Sequence, residues 1–456
     1  MGMNAATATT ADLRDAPAVS RGYAWLVFAL IFALLLSDYM SRQVLNAVFP
    51  MLKADWGLSD TQLGSLSGVV ALMVGILAFP VSLVADRWGR VRNLAIMGLL
   101  WSLATLGCAL SANYGHMLTA RFLVGVGEAA YGSVGLAVVL SMFPAHLRAS
   151  LTGAFTSGGM FGSVLGMALG GVVAAQFGWR WAFGAMAVFG LALVVTYALA
   201  VREKKVSPPR RTPAGEADSG AFRIRFRTLL PGLFSARSVV CAYIGSGLQL
   251  FIMGAILAWL PSYLNRYYEM PLGKASVTAA IFVLLSGVGM IVCGIVTDRL
   301  AKVSPPRKIV IAIVYVLASF ALLAVAFRMP PGTPQLVVLG AGVLLAAGTF
   351  APAGAMVANL THPSIHATAF ATLTLANNLL GLAPGPIVTG MLADKYGLLA
   401  ALQFVPFVSL GAAAAFLVAR RSYFTDLQRV VDPREPIHGD AVTRAAAQGA
   451  IAGTNP

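Results

Sequence analysis

The sequence predicts an all-α integral membrane protein: twelve transmembrane helices in two six-helix bundles, with both termini cytoplasmic. Three observations carry that expectation. Hydrophobic residues make up 58% of the 456 residues and charged residues only 11%, against about 45–50% and about 25% in a globular domain. Apolar runs of the ~20 residues needed to cross a bilayer recur along the whole chain. Lysine and arginine are abundant in every second connection and sparse in the others. So apolar a chain is solvated mainly by lipid, which argues against a soluble enzyme, a nucleic-acid binder or a disordered protein.

The elements follow in order. Residues 1–22 are a polar cytoplasmic tail without the short apolar core and cleavage site of a signal peptide. The first bundle, 23–201, holds spans at about 23–48, 62–85, 92–111, 115–142, 149–175 and 181–201. Residues 202–237 are a cytoplasmic linker, polar and broken by Pro208, Pro209, Pro213, Gly215 and Gly220. Within it, Arg223, Arg225 and Arg227 alternate with apolar residues over 222–234, which suits a membrane surface and a solvated loop equally. The second bundle, 238–422, holds spans at about 239–265, 275–297, 308–327, 334–360, 367–392 and 398–420. Residues 423–456 are a polar, Ala/Gly-rich cytoplasmic tail, expected to be mobile. Cys108, Cys241 and Cys293 lie in apolar runs without metal-ligand spacing and read as core residues.

Orientation comes from the cations. With both termini inside, 24 of the 32 lysines and arginines face the cytoplasm, six face outside, and Arg42 and Arg121 lie within spans. The net charge of +15 is then a topology signal directed at anionic lipid, not a nucleic-acid footprint.

The two halves repeat. Pro144 and Pro363, Gly162 and Gly381, Gly166 and Gly385, Gly171 and Gly390, and Gly178 and Gly397 share one offset of 219 residues. The pair Asp86–Arg87 recurs as Asp298–Arg299, 212 residues on. Duplicated halves about a central cavity are the arrangement expected of a secondary transporter. The small residues over 158–171 allow close helix approach. They suit ordinary packing or a flexible seam between the halves, and Pro384 and Pro386 are expected to kink the eleventh span.

Asp86, Arg87, Trp88, Gly89, Arg90, Val91 and Arg92 resemble the loop between spans two and three of the major facilitator superfamily. Gly294, Asp298 and Arg299 resemble its degenerate second copy. Arg121 through Tyr131, with Gly125, Gly127 and Glu128, resembles the fourth span of the Spinster-like branch. It is also similar to the anion:cation symporters, which share an Arg and a Glu there. Tyr39, Met40, Ser41 and Arg42 resemble the Spinster-like first span, with Ser41 where an aspartate is usual and Asp38 one turn earlier. Trp259, Leu260, Pro261 and Tyr263 fit both branches. The resemblance covers essentially all twelve spans. It implies the major facilitator fold, a monomer in the cell membrane, and spans one and four lining a shared cavity.

Asp38 and Glu128 are the acids well inside spans, and Arg42 and Arg121 the bases. Each costs ~2.5–3.5 kcal/mol at a helix centre on insertion scales, so lipid-facing positions are disfavoured. Asp38 and Arg42, four apart, share a helix face, as do Arg121 and Glu128, seven apart. The expectation is proton coupling at Asp38 and Glu128 and anion binding at Arg42 and Arg121. Structural ion pairs and a snorkelling Arg42 are the plainer readings. In the second half, Tyr243, Gln249, Trp259, Asn377 and Asn378 are the polar candidates for substrate recognition, or equally interhelical glue.

The resemblance places Asp86 beside the start of span eleven, where the helix dipole favours an anion, and Asp298 at span five near Arg148. Asp86, Arg87, Arg90, Arg148, Asp298 and Arg299 are therefore the expected cytoplasmic gate. His116, His362 and His366 fall at span ends and are given no ligand role. No Gly-Lys-Ser/Thr phosphate loop and no nucleophile–base set appears, so neither ATP use nor enzymatic chemistry is expected. No metal or cofactor is expected either.

The expected function is alternating-access secondary transport of a small organic anion coupled to protons. The partners are then substrate, protons and membrane lipid, without nucleic acid. A Spinster-like carrier of lysolipid or another amphiphile, a proton-driven exporter and a non-transporting sensor are the alternatives.

Overall fold

The computed structural model describes residues 20–203, 234, 236–301, 307–361 and 366–431. These residues are helical and contain no strand. The first half comprises α1 (Arg21–Trp56), α2 (Asp60–Trp88), α3 (Arg90–Ala109), α4 (Tyr114–Met142, interrupted at residues 129–130), α5 (Arg148–Phe177) and α6 (Trp179–Ala200). The second half comprises α7 (Arg237–Tyr267), α8 (Leu272–Leu300), α9 (Arg307–Ala326), α10 (Thr333–Leu360), α11 and α12 (Leu398–Gln428). Segment α11 is His366–Asn377, a π turn Asn378–Leu382, and Pro384–Tyr396.

Among the described residues, eleven helices are long and apolar enough to cross a membrane. α11 is not among them because its π turn divides it. Pro384 accounts for that turn: lacking an N–H, it cannot continue the α-helical ladder. The π turn occupies 378–382, just before the two prolines expected to kink this span.

Span ends are set by local chemistry. Ser59 and Gln62 form a capping box at the start of α2, satisfying two orphan N–H groups. Gly57 closes α1 in the left-handed region at φ 62°. Gly178 and Gly397, mates in the repeat, adopt nearly the same backbone, φ 91° and ψ 160° against φ 85° and ψ 153°. Each turns the chain directly from one helix into the next.

Duplication also shows in packing. A Cβ on Gly162 would lie 2.5 Å from the carbonyl oxygen of Leu36 in α1, and one on Gly166 2.5 Å from Met40. Their mates Gly381 and Gly385 abut Gly247 and Phe251 of α7 in the same way. α5 thus packs on α1 as α11 packs on α7. This corrects the idea of a glycine seam between the halves along 158–170: that face is occupied within its own half. The halves meet along other faces of these helices: Met160 and Gly171 of α5 abut Gly287 and Ser276 of α8, and Gly64 and Asp60 of α2 abut Pro386 and Gly390 of α11.

The C-terminal tail also differs from expectation. The last helix continues to Val431, with Tyr423 buried. Asp426 accepts a hydrogen bond from the Ser238 amide at 2.8 Å, pinning this extension to the start of α7. Residues 1–19, the expected surface segment at 222–233, His362 and the tail from 432 lie outside the described residues.

Candidate functional site

A cavity of about 380 Å³ lies between the halves, within the ~300–1,000 Å³ range of small-molecule sites. Its first-half wall carries Tyr39, Arg42, Gln43 and Asn46. Spacings of three, four and seven put these on one face of α1. In the sequence this stripe is a polar row within an apolar span, of which Arg42 stands out by its charge and Tyr39 by the resemblance, while Gln43 and Asn46 carry no signal of their own.

Arg42 bonds Glu128 of α4, its Nε donating to Glu128 Oε2 at 3.1 Å while Nη2 makes a second bond to the same oxygen. The Arg42 side chain is 20% exposed and that of Glu128 only 1%. The guanidinium therefore faces the cavity with its counter-ion sealed behind it. Tyr39 supports it, with the guanidinium 5.4 Å from the ring centroid. Asp38 is buried beside this pair and lies within electrostatic reach of Glu128, Arg42 and Arg121. Asp38 and Glu128 lie carboxyl to carboxyl, within hydrogen-bond reach of each other, and no N–H or O–H of another described residue reaches Asp38 Oδ1 or Glu128 Oε1.

Arg121 is placed differently from expectation. It is 0% exposed and donates to the carbonyls of Leu66 at 3.4 Å, Ser41 at 3.1 Å and Arg42 at 3.3 Å. It clips α1 and α2 to α4 and is not part of the cavity wall. The plainer alternative, the same-helix ion pairs Asp38–Arg42 and Arg121–Glu128, does not form; the ion pair joins α1 to α4. Shared helix faces bring residues to one side; which neighbour meets them depends on the packing.

Of the second-half candidates, Gln249 lines the cavity, its Nε2 donating to Ser319 Oγ at 3.0 Å. Trp259 stands outside the lining, its indole N–H donating to the Pro386 carbonyl at 3.0 Å and its ring 5.2 Å from that of Phe49. Asn377 and Asn378 sit at the π turn, buried, and Asn378 Nδ2 donates to the Thr374 carbonyl at 2.9 Å. Tyr243 is buried near the start of α7 against Phe234, and neither it nor the two asparagines is in the cavity wall. Much of the second-half wall is apolar, with Leu250, Met253, Leu257, Met290 and Phe350.

Two ends can be distinguished: the linker end, where α6 stops and α7 starts, and the far end. At the far end, Asp60 of α2 accepts from both terminal nitrogens of Arg266 of α7, at 2.9 and 2.7 Å, and from Lys53 at 2.7 Å. Asp394 of α11 accepts from the amides of Asp60 and Thr61 at 2.7 and 2.8 Å. A carboxylate is thus held on the N-terminus of α2, where orphan N–H groups and the helix dipole favour it. This network ties the halves together and was missed because each residue reads as an ordinary loop charge.

At the linker end, Glu203 accepts from the amides of Val91 and Arg92 at 2.9 and 3.1 Å, capping α3. The side chains of Asp86 and Arg87 lie outside those described. Arg90 is half-buried and engaged in contacts. Asp298 pairs with Lys308 at 2.9 Å, and Arg148 and Arg299 are exposed.

Residues 31–325 match the Major Facilitator Superfamily. The chain belongs to the major facilitator superfamily. The superfamily's relatives here include the probable L-galactonate transporter of Escherichia coli (strain K12), 27% identical over 89% of this chain and 90% of that one. Protein spinster homolog 1 of Xenopus laevis is 24% identical over 87% of this chain and 76% of its own length. Among solved structures, a bacterial homolog of the human lysosomal transporter Spinster, in an inward-facing, unoccupied conformation, superposes with a TM-score of 0.80. The match covers 89% of this chain and 99% of that one at 19% identity, and shows the shared fold. This major facilitator protein is a multi-pass membrane transporter with relatives in both the Spinster and sugar-acid groups.

Proposed function

We propose that the chain is a proton-coupled, alternating-access transporter of a small organic anion in the cell membrane. The single observation that carries this reading is the Arg42–Glu128 pair, with the cation open to the cavity and the anion closed off behind it. Protonation of Glu128, with Asp38 beside it to pass the proton, releases Arg42 to take a carboxylate from the cavity. An anion and a proton then occupy one site together, which is the coupling a symporter requires. This coupling sits in the first half, and the second half supplies shape and hydrogen bonds.

In this reading α11 is the twelfth crossing, both termini are cytoplasmic, and the protein works as a monomer. The far-end network then closes the outer side. Asp86, Arg87, Arg90, Arg148, Asp298 and Arg299 at the linker end close the inner side when the halves rock the other way.

A second reading has one observation in its favour. The apolar second-half wall suits an amphiphile, such as a lysolipid. One experiment separates the two: uptake into proteoliposomes under an imposed inward proton gradient, across organic acids and lysophospholipids. Accumulation of an organic acid that an uncoupler abolishes is the expected result. Lysolipid movement alone would overturn the organic-anion reading.

A further inference from the structure

The cavity reaches Arg42 and stops there: the Glu128 side chain behind it is 1% exposed, and Asp38 is buried. Toward the linker end, the interior of the first bundle carries tyrosines from three helices. Tyr131, three residues past Glu128 on α4, is buried, and its hydroxyl donates to the Ile31 carbonyl of α1 at 3.0 Å. Ile31 lies seven residues before Asp38, so this hydroxyl sits ~10 Å nearer the linker end at ~1.5 Å per residue. Tyr131 is within electrostatic reach of Asp38 on one side and of Tyr197 of α6 on the other. Tyr197 is in turn within reach of Tyr23 and Glu203. The Tyr23 hydroxyl donates to the Ala200 carbonyl at 3.2 Å and accepts from the Arg202 amide at 3.0 Å. Tyr23 and Glu203 are half-buried, so the row surfaces there.

The same interior carries polar groups that can bind and orient water. Asn93 Nδ2, Trp101 Nε1 and Ser102 Oγ of α3, and the Tyr197 hydroxyl, are buried and without a partner among the described residues. The Trp101 ring stands edge-on to Tyr131, with centroids 4.8 Å apart. Ser102 Oγ and the Oγ of Ser37, the neighbour of Asp38, lie 2.5 and 3.0 Å from where a Cβ on Gly190 would stand. Glycine at 190 thus keeps a polar cleft between α1, α3 and α6 that a methyl group would close. Buried polar groups are generally paired, with ordered water where protein does not reach, and water links groups too far apart to touch.

We propose that protons pass between the Asp38–Glu128 pair and the linker end through the interior of the first bundle, by way of Tyr131 and Tyr197 to Tyr23 and Glu203, while the anion uses the cavity. Water bridges successive groups. Each hydroxyl takes a proton on a lone pair as it gives its own to the next bridge, so the tyrosines stay neutral. The carboxyl that loses its proton becomes the carboxylate that Arg42 pairs with again. This rests on the proton-coupled reading above and adds to it a proton route separate from the anion's. Two routes let the buried pair charge and discharge while the cavity is occupied.

The test needs no substrate. Purified full chain receives a pH jump by flash release of protons from a caged acid, and the carboxyl C=O band is followed by time-resolved infrared spectroscopy. Glu128→Gln and Asp38→Asn assign the bands. In Tyr197→Phe the protonation rate should fall on the order of ten-fold, less than the ~10²–10⁴ of a positioned proton-transfer group because water partly replaces the hydroxyl. The extent of protonation should be unchanged, which also reports a folded site. Tyr131→Phe should behave alike. Tyr197→Phe removes a hydroxyl with no described partner to lose, so it decides alone where Tyr131→Phe does not fold. A wild-type rate in Tyr197→Phe, or in a folded Tyr131→Phe, would overturn the proposal. A wild type in which no carboxyl band responds to the jump would instead remove the proton-coupled reading beneath it.

Discussion

Glu128 sits behind Arg42: its carboxylate receives the Arg42 Nε at 3.1 Å, yet its side chain is 1% exposed where that of Arg42 is 20%. The cavity meets the positive member of the pair, and protons reach the negative member only through protein. The partner remaining within the same buried group is Asp38.

Glu128→Gln should abolish proton-driven accumulation and leave substrate exchange running, because Arg42 is then permanently free. Counterflow and gradient-driven uptake in the same proteoliposomes check this. Proton-driven accumulation at wild-type rates would end the coupling role of Glu128.

Arg42→Ala leaves Glu128 buried and unpaired. Breaking a buried pair from one side costs about 3–5 kcal/mol, so a marked drop in thermal midpoint is expected. Adding Glu128→Gln should restore much of the stability and none of the anion binding. A thermal-unfolding series of the two single variants and the double variant separates charge burial from ligand recognition.

Arg121→Ala should act on folding rather than on selectivity. Three backbone carbonyls lose a charged donor, and hydrogen bonds to charged groups contribute about 1.5–3 kcal/mol each. Yield and thermal midpoint should fall, while the folded fraction keeps its substrate affinity. A folded, stable variant with lost affinity would return Arg121 to the binding site.

Asp394→Asn weakens the contact that ties α11 to the start of α2, and Asp60→Asn removes the charge that holds Arg266. Either should shift the population toward a conformation open at the far end. Distances between spin labels on α2 and α11 report it, as does faster labelling of a cysteine placed near Ser276. Unchanged distance distributions in both variants would show that apolar packing alone holds this end.

Gly162→Val and Gly381→Val should be equally damaging, since each added side chain runs into a carbonyl of the partner helix at 2.5 Å. Overpacking costs typically about 1–3 kcal/mol. Loss of detergent-stable monodisperse protein in both is expected. Tolerance of one but not the other would break the equivalence of the two halves.

The sequence by itself determined the membrane class, the helical content, the duplication and the family. Each of these rests on one-dimensional regularities: apolar run length, charge alternation between loops, and a constant offset between glycines. It also named the buried charges, because an ionisable residue within a span stands out wherever it points. What only the tertiary structure decided is which of them meet. Asp38 and Arg42 share a face of α1, but the neighbour on that face is α4, so Arg42 pairs with Glu128. Arg121 shares a face with Glu128 and is turned onto the carbonyls of α1 and α2. Asp60, Asp394, Lys53 and Arg266 are unremarkable loop charges until two halves, distant in sequence, bring them within 3 Å. Periodicity specifies the direction of a side chain from its own helix axis; the partner it finds depends on how separate helices are placed, and that information is not local.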